Sequence, residues 1–292
     1  MAGDLRQRAI ALYDHFTHEG QDRRAFTADL TKLAGSAAAA NLLLAGIAAD
    51  PAAAAIVAED DARVVSQMVR VEVSPGRVLQ AYRAASKTGG KHPAVMVIHE
   101  NRGLQPYTRD VARRLAIAGF TALAPDFLTL SGGTPVDDDD KARAMIGALD
   151  LAQTVKDAIA TVGWLKAEGR SAGKVGVVGF CWGGALADRI AVEGGTVPSA
   201  ICAFYGPAPD PVEAVKVRAP LLLHYAGLDT RVDQSAKPWL AALATAHKSV
   251  ASYVYPNVNH AFHNDTSPDR YDAAAATLAW DRTIAFFRRT LA

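Results

Sequence analysis

Two cysteines in 292 residues are too few for a disulfide framework, and no stretch reaches the length and apolarity of a membrane-spanning helix. Basic residues are not concentrated anywhere, since 31 Lys and Arg face 30 Asp and Glu for a formal charge of +1. That balance argues against a nucleic-acid surface and favours a small-molecule partner. Internal repeats and low-complexity linkers are also absent. What remains is a chain that is 50% hydrophobic, able to bury one large core or one core with a small appendage.

One of the two cysteines sits in the most informative stretch. Residues Lys174 to Gly184 read Lys-Val-Gly-Val-Val-Gly-Phe-Cys-Trp-Gly-Gly. Val175 to Val178 have the β-branched character of a buried strand, and Ala185 to Val192 suit a helix. Gly179-Phe-Cys181-Trp-Gly183 between them is the nucleophile-elbow pattern Gly-x-Ser-x-Gly with cysteine for serine. A phosphate-cradling turn is the rival reading, but neither glycine-rich nucleotide motif fits the spacing. Cys202 lies in the apolar run Ala200 to Tyr205 and is expected to be a buried strand residue.

The N-terminal region, residues 1–62, is alanine-rich and lacks strand signals until residue 63. Leu5, Ala9, Leu12, Tyr13 and Phe16 fall at helical spacing, and a second helix is expected from Arg24 to Leu33. Arg23-Arg24-Ala-Phe26 followed by an Ala/Leu-rich run also resembles a twin-arginine export signal, although Asp29 and Lys32 interrupt it. A retained helical appendage on a cytoplasmic protein is the preferred reading, with periplasmic export the alternative. Such helices would also offer a surface for self-association into a homo-oligomer.

From residue 63 to 292 the pattern is that of one catalytic domain. Val64–Val73 and Arg77–Arg83 predict a hairpin around Ser74-Pro-Gly76. Strands are then expected at 93–99, 120–124, 200–204, 220–225 and 251–255. Helices are expected at 107–118, with its arginines on the outer face, and at 155–167, 237–246 and 273–291. Asp137 to Asp140 are expected at a solvated helix start rather than around a divalent ion. The alternation implies an α/β fold, a mostly parallel sheet of about eight strands covered by helices on both faces.

In such a sheet ligands sit beyond the carboxyl ends of the strands, so residues just after strands carry the chemistry. Cys181, Asp229, His260 and Glu100 all qualify. Nucleophile, acid and histidine come in the order of an α/β-hydrolase, and the imidazole can activate the thiol while the aspartate orients it. The oxyanion is expected to meet the backbone N–H of Trp182 and of Asn101. Arg102 could anchor an anionic substrate or pair with a surface carboxylate. His263 and Asn264 are expected as substrate-binding residues, and His99 and His224 as satisfied buried histidines. No metal or organic cofactor is expected.

Val-Ile-His-Glu100-Asn-Arg-Gly, Ala-Pro-Asp126, the segment around Cys181, Tyr-Ala-Gly-Leu-Asp229 and Val-Asn-His260-Ala-Phe together carry a resemblance. From about residue 64 to the end the chain resembles the dienelactone hydrolases (carboxymethylenebutenolidases), and its N-terminal region is similar to that of a longer bacterial subgroup. The resemblance implies a cysteine hydrolase of lactones or esters that forms an acyl-enzyme. It also implies that the residue matching Glu100 contacts the resting thiol and takes its proton when substrate binds. One departure concerns the substrate. The family carries an arginine shortly after the catalytic histidine, whereas His260-Ala-Phe-His263-Asn264-Asp265 has none. Arg270, Arg102 or Arg143 could supply it from elsewhere. A general carboxylesterase acting on uncharged esters, or a ligand-binding member of the fold without catalysis, are the competing expectations.

Overall fold

The computed structural model describes residues 5, 8, 9, 12, 23–40, 57–135, 138–168, 171–267 and 270–292. Within them an eight-stranded sheet is assembled from β1 (Val64–Ser74), β2 (Arg77–Ser86), β3 (His92–Ile98), β4 (Thr121–Pro125), β5 (Ser171–Phe180), β6 (Ala200–Phe204), β7 (Leu221–Ala226) and β8 (Val250–Tyr255). Their spatial order is β1-β2-β4-β3-β5-β6-β7-β8. β1 and β2 form an antiparallel hairpin, β2 runs antiparallel to β4, and every other pairing is parallel. Gly76, at φ 75°, supplies the positive backbone angle that the tight Pro75-Gly76 turn needs.

The sheet is sandwiched because its central strands are apolar on both sides. Val95 and Val97 of β3 face one core, whereas Ala94, Met96 and Ile98 face the other. The first core is closed by helices α1 (Arg23–Ala34), α2 (Pro106–Ile117) and, after the helices named next, the C-terminal helix Ala273–Leu291. The second is closed by α4 (Leu151–Ala167), α5 (Trp182–Glu193) and α6 (Thr230–Thr245), α3 (Asp139–Gly147) lying just before them in the chain. The C-terminal helix is α7. Arg77 clamps the hairpin to α4 through a bidentate pair with Asp157, Nε to Oδ1 at 2.9 Å and Nη2 to Oδ2 at 2.7 Å.

Most expected elements appear within a few residues of their expected ends. α6 differs most, beginning at Thr230 rather than Lys237, because Asp229 caps it by accepting from the Val232 N–H and the helix runs on through Pro238. The acidic run opens α3, where Asp138 accepts from the Lys141 N–H and Asp139 and Asp140 fill the first turn. Asp137 lies outside the described residues, as does most of the first expected helix, of which Leu5, Arg8, Ala9 and Leu12 are helical. No helix among the described residues is long and apolar enough to cross a membrane.

The arginines of α2 correct the expectation of an outer face. Arg113 and Arg114 are only 4% and 5% exposed. The chain leading into the sheet covers them: Arg113 Nε donates to the Val57 carbonyl at 2.6 Å and its Nη1 to the Tyr82 hydroxyl at 2.9 Å. Arg114 pairs with Asp110 and Asp265, and Asp110 also accepts from the Val57 N–H at 2.6 Å. A single-helix reading cannot foresee a further layer of chain. Truncating Arg113 to alanine should therefore lower the unfolding free energy by about 2–3 kcal/mol in urea titrations, because it strands two buried oxygens that now accept from a cation.

Candidate functional site

Five strands deliver polar residues to one edge of the sheet. Glu100 follows β3, Cys181 follows β5, Tyr205 follows β6, Asp229 follows β7 and His260 follows β8. Sequence reasoning proposed four of these. Tyr205 is the addition: in the sequence it reads as the end of an apolar run, although the position-after-strand criterion applies to it equally.

Cys181 is held at φ 56° and ψ −113°, a conformation that non-glycine residues rarely adopt. The reason is the tight reversal from β5 into α5. A Cβ on Gly179 would lie 1.9 Å from the Gly183 carbonyl oxygen, one on Gly183 would lie 2.5 Å from the His99 oxygen, and one on Gly184 would lie 2.5 Å from the Phe204 oxygen. Only glycines let strand and helix approach this closely. Backbone bonds fix the result: Cys181 N–H donates to the Phe204 oxygen at 3.0 Å, and Ala185 N–H to the Cys181 oxygen at 3.1 Å. Trp182 stacks its ring on His99 at 5.3 Å, and its backbone N–H favours the ionised form of the Cys181 thiol, against the burial that opposes it. Asn101, partly buried, sits in the turn that follows β3.

Asp229 and His260 are brought together by loops more than thirty residues apart. His260 Nδ1 lies 2.5 Å from Asp229 Oδ2, while Asp229 Oδ1 holds the start of α6. That fixes the imidazole with Nδ1 as the donor and leaves Nε2 to accept a proton. Burial lowers the histidine pKa, partly offset by the hydrogen bond to Asp229, so the ring is the neutral base at pH 7.

Glu100 is clamped from two sides. Its Oε2 accepts from Asn264 Nδ2 at 2.7 Å, and its Oε1 from the Tyr205 hydroxyl at 3.3 Å. Asn264 is itself fixed, since its Oδ1 accepts from the Thr266 N–H at 3.0 Å and from the Thr266 hydroxyl at 2.7 Å. Enclosure raises the Glu100 pKa, opposed by Asn264, Tyr205 and the nearby charges of Arg102 and Arg270. The Cys181 thiol is pushed up to about 12, first by desolvation and then by the Glu100 carboxylate. Two acids that each oppose ionisation of the other can share one negative charge between them.

A cavity of about 160 Å³ opens beside Glu100, lined among others by Arg102, Gln105, Thr108, Asn264 and Thr266. Arg102 reaches Asp139 at 3.0 Å across its rim. His263 is 1% exposed, its ring packed between Phe180, Phe204 and Trp280 and its Nδ1 2.6 Å from the Tyr107 hydroxyl. Exposed Arg231, beside Asp229, acts electrostatically on Cys181 and His260, and Arg270 acts on Glu100 and His260. Arg143 pairs with Asp140 on the surface of α3. His99 and His224 are buried and satisfied. His99 Nδ1 meets the Glu100 carbonyl at 2.7 Å, and His224 meets the hydroxyls of Tyr255 at 2.9 Å and Thr283 at 3.1 Å. Cys202 is buried against Thr283. Among the described residues no three His, Cys, Asp or Glu side chains gather in a way that would hold a metal ion.

A mostly parallel sheet with helices on both faces, and an acute strand-to-helix turn presenting a side chain at its carboxyl edge, define an α/β-hydrolase fold. The Dienelactone hydrolase family model matches residues 79–291, and the chain belongs to that family and is a hydrolase acting on carboxylic ester bonds. It is 32% identical to a protein of Escherichia coli O157:H7 named "Putative carboxymethylenebutenolidase", over 83% of this chain and 93% of the relative. A protein of the same name from Methylorubrum extorquens is 31% identical over 91% of this chain and 98% of its own length, so the similarity extends into the N-terminal region. A crystal structure from Klebsiella pneumoniae subsp. pneumoniae titled "Putative Dienelactone Hydrolase" superposes with a TM-score of 0.69 at 26% identity, covering 77% of this chain and 99% of that one.

The glycine contacts make a paired prediction. Gly179→Ala should cost at least about 3 kcal/mol or prevent soluble folding, because its methyl group meets fixed backbone. Gly163→Ala, inside α4 with no atom within 4 Å of the new carbon, should instead stabilise by about 0.5–1 kcal/mol. Thermal melts of the two variants compare these directly.

Proposed function

We propose that the protein hydrolyses a small-molecule lactone or carboxylic ester through Cys181, His260 and Asp229, by way of an acyl-enzyme. The observation that carries this reading is the 2.5 Å Asp229–His260 pair on the same sheet edge as the strained Cys181. Asp229 holds His260 in the tautomer whose Nε2 accepts a proton and stabilises the imidazolium that results. The thiolate of Cys181 attacks the ester carbonyl, and the oxyanion is met by the N–H of Trp182 and that of Asn101. Collapse expels the alkoxide, which takes up the proton that the thiol has released to Glu100 and in a lactone stays tethered to the acyl group. Water activated by His260 then cleaves the thioester.

Glu100 acts as a check on the thiol. Its carboxylate and the enclosed surroundings keep Cys181 as the thiol in the resting enzyme, and substrate binding favours transfer of the thiol proton to Glu100. Two observations favour a second reading, a general carboxylesterase for uncharged esters. Asn264 stands four residues after His260, where its amide is committed to Glu100, and Arg102 is already paired with Asp139. That surface ion pair is worth less than about 1 kcal/mol, so a substrate carboxylate can compete for Arg102. A panel of charged and neutral lactones and aryl esters separates the readings: preference for anionic lactones supports the first, and faster turnover of neutral esters the second.

Cys181→Ala should reduce hydrolysis to background while leaving the circular dichroism spectrum and melting point in place. Native turnover by this variant would end the covalent reading. Glu100→Gln should speed alkylation of the free enzyme by iodoacetamide at pH 7–8. Removing a negative charge lowers the thiol pKa, and each unit lowered gives about ten times more thiolate while the thiol form predominates. An unchanged alkylation rate and pH profile would remove Glu100 from control of the thiol.

A further inference from the structure

Behind Glu100 runs a line of buried polar groups that the hydrolysis described above leaves without a role. Tyr205 is fully buried at φ 40° and reaches Glu100 Oε1 at 3.3 Å. Its hydroxyl interacts electrostatically with that of Tyr107, which is 3% exposed and lies 2.6 Å from His263 Nδ1. The line thus comes from three places: the end of β6, the first turn of α2 and the loop after His260. Convergence of a carboxyl group, two phenols and an imidazole inside an aromatic cage demands that every hydrogen have an acceptor.

We propose that Tyr205, Tyr107 and His263 form a hydroxyl relay that positions Glu100 and keeps it hydrogen-bonded in both of its ionisation states. This rests on the reading of Cys181 as the nucleophile and Glu100 as the acceptor of its proton. With Glu100 as carboxylate, the Tyr205 hydroxyl donates to Oε1 and the Tyr107 hydroxyl donates to His263 Nδ1. When substrate binds, the S–H bond of Cys181 breaks, its electron pair stays on sulfur, and the proton forms an O–H bond on Glu100. The carboxylic acid then donates to the Tyr205 oxygen, the Tyr205 hydrogen turns to the Tyr107 oxygen, and the Tyr107 hydrogen stays on His263. One hydroxyl rotation serves both states, and Glu100, Tyr205 and Tyr107 each keep a partner in both. Asn264 donates to Oε2 throughout.

The terminal acceptor has to be a neutral imidazole. Burial holds the His263 pKa well below its ordinary value, assisted by the positive charge of Arg114 and by His224. The other groups facing the line are Cys181, Arg102 and Arg270 toward Glu100, and Arg114 and Asp265 toward Tyr107, with Asp110 pairing to Arg114. These are the same in the variants below, so differences among the variants report on the relay.

The test is an infrared titration of the Glu100 carboxyl stretch, assigned by its loss in Glu100→Gln, in the full-length protein. Tyr205→Phe removes a donor from the carboxylate and should move the Glu100 midpoint upward. Tyr107→Phe leaves the Tyr205 hydrogen no second acceptor, so the carboxylic acid cannot donate to Tyr205 and the midpoint should move downward. Each shift should be about half to one pH unit, a three- to tenfold change in the protonated fraction. His263→Leu should behave as Tyr107→Phe does, and His263→Asn, which keeps an acceptor near the Nδ1 position, should restore the native midpoint and the roughly tenfold loss of kcat/KM expected of the leucine variant. Shifts of the two tyrosine variants in one direction, or an unmoved midpoint in both Tyr107→Phe and His263→Leu, would overturn the relay. Failure of the native enzyme to hydrolyse any ester would count against the catalytic reading separately, because the infrared midpoints do not require turnover.

Discussion

The approach of β5 to α5 at Gly179, Gly183 and Gly184 is the constraint on which the site depends. Backbone packs on backbone there, so the intervening Cys181 takes a positive φ and its side chain stands at the carboxyl edge of the sheet. Conformational strain of this kind costs about 1–3 kcal/mol and persists only where surrounding structure enforces it. The enforcement comes from the two apolar cores that fix strand and helix on either face, and from hydrogen bonds such as that of Cys181 N–H to Phe204. The same turn directs the Trp182 N–H at the thiol.

Around that turn the protein manages negative charge rather than accumulating it. Burial favours the protonated thiol and the protonated Glu100, and each carboxylate near Cys181 reinforces the effect on sulfur. Asn264 and Tyr205 oppose it for Glu100 by donating to its oxygens. Asp229 uses its two oxygens differently, one on the His260 ring and one on the first turn of α6, so orientation of the imidazole and helix capping share a residue. Arginines at the rim, Arg102, Arg231 and Arg270, supply positive potential without entering the buried network.

The sheet, its antiparallel entry and most helix positions were legible in the sequence because apolar period and turn chemistry are local properties. Cys181 was legible for the same reason, since its glycines lie within a few residues of it in the chain. Asp229 and His260 followed from topology, as residues placed just beyond parallel strands. The buried arginines of α2 were not legible: a helix with arginines every few residues has the pattern of a solvent-facing helix, and only the Val57 segment and Asp265, from distant parts of the chain, make it an interior one. Tyr205 and Tyr107 were likewise invisible as polar partners, because aromatic residues at strand ends and helix starts satisfy the apolar pattern whether or not their hydroxyls are used.

By itself, then, the sequence determined the α/β architecture, the elbow and the identity of the sulfur at its tip, since short-range sterics and side-chain periodicity are written in neighbouring residues. Tertiary structure alone decided what surrounds that sulfur: that Asn264 rather than a cation holds Glu100, that Asp139 meets Arg102, and that His263 ends a line of hydroxyls. These contacts join residues up to 164 positions apart. Their hydrogen-bond geometry exists only once the strands have set the distances between the loops.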